Sequence, residues 1–157
     1  MAVIPRFRMV AGYTVALIAN YFQSRLIETG MSFSQETVFS HPSKVEALRR
    51  AKAKGFRTYL YYVATENPIV NVLRVSQRVK EGGHDVPREK IVERYERSLA
   101  QVPEALEVVS RAFFFDNSGN GMRFLAEYAE GQGMRLRPDL EEIPRWFRKY
   151  GLPHGGV

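Results

Sequence analysis

Arg74, Arg78, Arg94 and Arg97 sit three or four residues apart in pairs, on either side of the link Gly82-Gly83-His84-Asp85-Val86-Pro87. Arg74 and Arg78 share one face of a helix, and Arg94 and Arg97 share a face of the next. Two helices that each offer arginines across a glycine-rich hinge can close over an anion such as a phosphate. The same arginines can instead pair with Glu81, Glu93 and Glu96 on a solvated surface, the ordinary fate of interleaved charges.

A second candidate lies earlier, in Ser32-Phe33-Ser34-Gln35-Glu36-Thr37-Val38-Phe39-Ser40-His41-Pro42-Ser43-Lys44. It reads as a strand over 32–39 that ends in polar residues and turns into a helix. Ser43 and Glu46 have capping-box spacing, so a helix is expected to begin near Lys44. In an open parallel sheet, ligands bind beyond the carboxyl ends of the strands. That places Glu36, Thr37 and Ser40 at a site. A buried strand with a capped helix behind it accounts for the same residues without chemistry.

Other chemistries find little support. The 157 residues include no cysteine, which removes disulfides, thiolate metal sites and cysteine nucleophiles. His41, His84 and His154 have no partner at helical ligand spacing, so no metal site is expected. No Gly-x-Ser-x-Gly elbow is present. The net charge of +6 favours an anionic partner. A phosphate-bearing small molecule accounts for the arginines as well as nucleic acid does. Nucleic acid ranks last, because no basic strand carries stacking aromatics. No apolar run is long enough to cross a bilayer and no secretory pattern opens the chain, so the expectation is no membrane partner and a cytoplasmic location.

These residues need elements to position them. Val3, Ile4, Met9 and Val10 suggest a short strand interrupted by Pro5. Ile18, Phe22 and Leu26 predict a helix over about 12–28, stopped by Gly30. A helix over 44–54 carries Val45 and Leu48 inward. The run from Arg57 to Thr65 is β-branched and aromatic, as in a central strand covered on both faces. Asn67-Pro68 caps and opens a helix that reaches Glu81. Pro87 opens another, with Ile91, Tyr95 and Leu99 as its inner stripe, and Pro103 breaks it. Residues 111–119 read as a buried strand ending in a polar turn. A hairpin over 123–137 turns at Glu130-Gly131-Gln132-Gly133, with Phe124 and Leu125 opposite Met134 and Leu136. A helix from Asp139 to Tyr150 carries Trp146 and Phe147, and Gly151 to Val157 is expected to be loose. Strands alternating with helices predict an α/β fold, a three-layer parallel sheet with right-handed crossovers. The chain is expected to form a single domain over 1–157.

The ordered set of stretches resembles the zeta-toxin-like branch of the P-loop kinases. It comprises Ser32 to Lys44, Tyr61-Tyr62-Val63-Ala64-Thr65-Glu66-Asn67-Pro68, Arg74 to Arg78, Gly82 to Pro87, Arg94 to Leu99 and Phe115-Asp116-Asn117-Ser118-Gly119. The likeness covers about residues 13–119, with a hairpin and short helix over 120–157. It implies ATP and Mg2+ as cofactors and transfer of the γ-phosphoryl group to a hydroxyl of a small substrate, for which UDP-N-acetylglucosamine is the family's known example. It implies an antitoxin as a protein partner. By position, Glu36 and Thr37 correspond to an acidic strand-end pair near magnesium and substrate, with Ser40 beside them. Arg78 corresponds to a lid arginine on the ATP phosphates, and His84 falls where a second arginine is common. Arg94 and Arg97 support phosphate contacts, and Asn117 lies near the adenine.

One family feature is not found: no stretch matches Gly-x-x-x-x-Gly-Lys-[Ser/Thr]. Phosphoryl transfer rests on positioning and on electrostatic stabilisation by that loop, its lysine and magnesium. The expectation is therefore a P-loop kinase fold that is N-terminally incomplete, with impaired transfer. The alternative is a non-catalytic nucleotide- or protein-binding module. Loss of a central strand would leave its neighbours unpaired, so either N-terminal residues fill the gap or the chain forms a homo-oligomer.

Overall fold

A computed structural model describes the backbone of residues 5–152 and the side chains of residues 14–152. The helices are α1 (Pro5–Glu28), α2 (Ser43–Ala53), α3 (Pro68–Lys80), α4 (Arg88–Ala100), α5 (Val102–Leu106) and α6 (Arg145–Tyr150). The strands are β1 (Tyr59–Ala64), β2 (Arg111–Asp116), β3 (Arg123–Ala129) and β4 (Gly133–Leu136). They form one sheet in the order β1-β2-β3-β4. β1 runs parallel to β2, while β2–β3 and β3–β4 are antiparallel.

The local grammar explains the helix ends. The Asn67 side chain accepts the backbone N–H of Ile69 at 2.9 Å, and Pro68 follows at the first helical position. At the other end of α3, Gly83 N–H bonds the Arg78 carbonyl at 2.8 Å and Gly82 N–H bonds that of Val79 at 3.0 Å. This 6→1 and 5→2 pair needs a left-handed residue, and Gly82 supplies it with φ 90°.

One face of the sheet carries Tyr62, Ala64, Ala112, Phe114 and Ala126 into a core with Val45, Leu99, Val102, Trp146 and Phe147. Phe114 meets Phe147 at 5.0 Å between ring centroids, and Tyr62 meets Trp146 at 5.9 Å. The opposite face leaves Tyr59, Tyr61 and Val63 exposed, with Tyr61 stacked on Phe113 at 5.0 Å.

Several expectations are corrected. The sheet is mixed rather than parallel, because two of its three pairings belong to hairpin-type neighbours. The expected third layer is not found among the described residues: β1 is an edge strand with one uncovered face, not a central strand covered on both. The gap expected between strands is closed by direct pairing of β1 with β2. Residues 32–39 form no strand, because no neighbour takes their hydrogen bonds, and the run ends where Phe39 adopts φ 59° to turn its ring onto Tyr62.

The N-terminal helix is longer than expected and includes Met9 and Val10, while Val3 and Ile4 lie outside the described residues. The capping box at Ser43 does not form. The His41 ring takes that role, with Nδ1 3.2 Å from Ser43 N–H and 2.9 Å from its hydroxyl. The β3–β4 register pairs Ala126 with Leu136 and Tyr128 with Met134, so Phe124 and Leu125 are not the partners of Met134 and Leu136. Only Arg145–Tyr150 of the expected last helix is helical, opened by Pro144. Gly151 is buried against Phe147 rather than loose, and 153–157 lie outside the described residues.

Candidate functional site

β1 ends at Ala64, beside Asp116 at the end of β2, and both chains then turn away. The crevice outside such parallel strand ends is where an α/β sheet offers ligands its loops and helix starts. Here it holds a cavity of about 390 Å³, within the usual range for a small-molecule site. Its base is Ala64, Thr65 and Asn117. Its walls are α3, through Asn71, Arg74, Val75 and Arg78, and α4, through Ile91, Arg94 and Tyr95.

The electrostatics are one-sided. Among the described residues, Arg74, Arg78 and Arg94 line the cavity and no carboxylate does. Arg74 Nη2 donates to the Asn117 carbonyl at 2.7 Å, which ties α3 to the turn after β2. Arg78 Nη2 reaches the His84 carbonyl only at 3.4 Å, a marginal bond. Half-buried Arg94 has no ion pair or side-chain hydrogen bond to any described residue. Uncompensated cations in a concave site favour a multiply charged anion, and planar guanidinium groups suit phosphate oxygens.

Two phenols brace the cavity. The Tyr95 hydroxyl donates to the Thr65 carbonyl at 2.9 Å. Burial, then the charges of Glu96 and Glu66, push the Tyr95 phenol well above its usual range, so it stays a donor. Tyr62 and Ser98 share a hydroxyl contact of 2.9 Å, and burial pushes Tyr62 up to about 12.

Of the residues singled out in the sequence, Thr37, Arg74, Arg78, Arg94 and Asn117 line this cavity together. Glu36 instead lines a neighbouring groove, which Thr37 also borders. Ser40 is half-buried outside both. His84 is exposed on the α3–α4 link and contributes its carbonyl to Arg78. Arg97 points to solvent and pairs with Glu93 at 3.2 Å. Asn71, Tyr95 and Thr65 are additions. Asn71 and Arg74 share the face of Arg78, a signal present in their spacing; Tyr95 and Thr65 carry no local signal.

The lining suits an anion with several oxygens, since Arg74, Arg78 and Arg94 border one cavity. Magnesium finds no protein cage: among the described residues, no three His, Asp or Glu side chains are placed to hold a metal. No helix among the described residues is long and apolar enough to cross a membrane.

Residues 9–120 match the family described as Zeta toxin. The chain is also similar to an uncharacterized protein of Haemophilus influenzae, 30% identical over 69 residues. That stretch is 44% of this chain, and the chain spans about half (49%) of the length of this curated relative. No solved structure matches.

Proposed function

Because the chain belongs to the zeta-toxin family, whose members are kinase-like and use ATP, we propose that the cavity beyond β1 and β2 binds the polyphosphate of a nucleotide. The observation that carries this reading is the convergence of Arg74, Arg78 and Arg94 on one concave site lined by no carboxylate. Bound ATP would supply the transferable phosphoryl group. Arg78 and Arg94 would grip its phosphates from opposite walls, and Asn117 would sit toward the base. Tyr95, held neutral, keeps the floor of the cavity rigid through Thr65.

Transfer itself is weak in this proposal. A hydroxyl acceptor needs a base within hydrogen-bond reach, and Glu36 lies in the neighbouring groove rather than beside the arginines. The acceptor class is a small hydroxyl-bearing molecule, with a nucleotide sugar such as UDP-N-acetylglucosamine the candidate that the family resemblance supports. An antitoxin that covers the arginines is the protein partner this reading implies. The alternative, a nucleotide-binding module without turnover, shares the same cavity and differs only in rate. Calorimetry with ATP and magnesium, on the chain and on Arg78→Ala, tests the proposal. Binding that weakens about tenfold or more in the variant supports it, and no binding to the unaltered chain refutes it.

A further inference from the structure

The outer edge of β1 has no strand partner among the described residues. The Thr58 carbonyl accepts from Ser110 and Arg111, and the Ala64 carbonyl accepts from Asn117, so the even-numbered residues turn their peptide groups toward β2. By the alternation of a parallel ladder, Tyr59, Tyr61 and Val63 turn their N–H and C=O groups to the open side. Beside them runs a groove of about 1170 Å³. The segment 32–39 lines it, and residues 32–38 make no backbone–backbone hydrogen bond to a described residue. Leu48 and Ala51 of α2 complete the lining.

The groove has the size of one strand. The six residues of β1 run for about 20 Å at ~3.3 Å each, and a strand occupies ~4.8 Å across a sheet and ~10 Å through it, or roughly 1000 Å³. Segment 32–39 is held back from closing this space. Gln35 accepts a hydrogen bond from Gln23 of α1 at 2.5 Å, and Phe39 is buried against Tyr62. The charge is also one-sided: Lys44, Lys54 and Arg57 line the groove against Glu36, and none of the four makes an ion pair with a described residue.

We infer that this groove receives an extended, acidic segment of another polypeptide as an added strand on β1. Main-chain bonds to Tyr59, Tyr61 and Val63 supply affinity. Alternate side chains face Leu48 and Ala51 on one side, and the others carry negative charge toward the lysines. This inference does not rest on the nucleotide reading: the groove shares Thr37, Val38, Tyr62, Val63 and Ser98 with the arginine cavity but none of its arginines.

The test uses the full chain and a fluorescein-labelled octapeptide of alternating glutamate and valine, followed by anisotropy. Saturable binding is expected, weakened about tenfold when lysine replaces glutamate, the size of two or three exposed ion pairs. N-methylation of every second peptide nitrogen should abolish binding in one phase and spare it in the other. Hydrogen exchange should show the amides of Tyr59, Tyr61 and Val63 unprotected in the free chain and protected in the complex. No saturable binding, equal binding of the lysine peptide, or indifference to N-methylation in both phases would overturn the inference. So would protection of those three amides in the free chain, whether segment 32–39 or a second copy causes it.

Discussion

A Cβ built on Gly83 would stand 2.6 Å from Cγ of Arg78 and 2.8 Å from its carbonyl oxygen. The turn that ends α3 therefore folds directly against the arginine that lines the cavity. Glycine is required here for close approach, and the neighbouring Gly82 for its positive φ. Gly83→Ala must push the Arg78 stem or open the turn, at a cost of about 1–3 kcal/mol by analogy with overpacking. The expected result is a lower melting temperature together with weaker nucleotide binding, read by calorimetry. A variant that melts lower but binds as before would place Arg78 outside the binding machinery.

Arg94 and Arg97 lie on one helix with opposite circumstances. Arg94 lines the cavity without an ion pair to any described residue, while Arg97 is exposed and paired with Glu93. Arg94→Ala is expected to weaken ATP binding about 10- to 100-fold, the worth of a hydrogen-bonded charge to phosphate, without lowering the melting temperature. Arg97→Ala is expected to change neither by more than a few-fold, since an exposed pair contributes little. Equal losses in both variants would point to general charge attraction rather than to the cavity.

Tyr62 titrates in the core, and its raised value has a sign. A phenol whose folded pKa lies above the unfolded value of about 10 favours the folded state below pH 10, where both forms are protonated. That contribution falls as pH rises through about 12 and amounts to roughly 2–3 kcal/mol when fully lost. Tyr95 shifts in the same direction. Denaturant midpoints between pH 8 and 12, values chosen to span the two pKa values within about two units, should decline most steeply above pH 10. Tyr62→Phe should flatten that decline. A decline of unchanged slope in the variant would assign the alkaline transition to other groups.

Phe147 anchors α6 beneath Phe114 and is fully buried. Phe147→Ala should cost about 3–5 kcal/mol, visible as a large drop in the urea midpoint. A loss under 1 kcal/mol would mean that α6 contributes little to this core, since a filled cavity of that size is expected to cost several times more.

The helices were legible because their punctuation is local. Asn67-Pro68 and Gly82-Gly83 act within five residues of themselves, and the structure uses them as read. The segment 32–39 has strand-type residues but is no strand, because strand propensity depends on a partner and residues 32–38 have none among the described residues. Once it is not a strand, alternation no longer fixes its side chains, and Glu36 separates from the arginines. The edge position of β1 was equally hidden, since Tyr59 to Ala64 would read the same in the middle of a sheet. Arg74 and Arg78 were visible as a pair from spacing alone. Their meeting with Arg94 and Tyr95 depends on how α3 and α4 fold back on each other, which no local pattern states.

Competition binding tests the central claim most directly. The chain is loaded with a fluorescent ATP analogue and challenged with inorganic tripolyphosphate or with adenosine. If the arginine cavity grips phosphates, tripolyphosphate displaces the analogue, adenosine does not, and Arg94→Ala loses the tripolyphosphate effect. Displacement by adenosine with none by tripolyphosphate would contradict the account, because recognition would then lie in the base rather than in Arg74, Arg78 and Arg94.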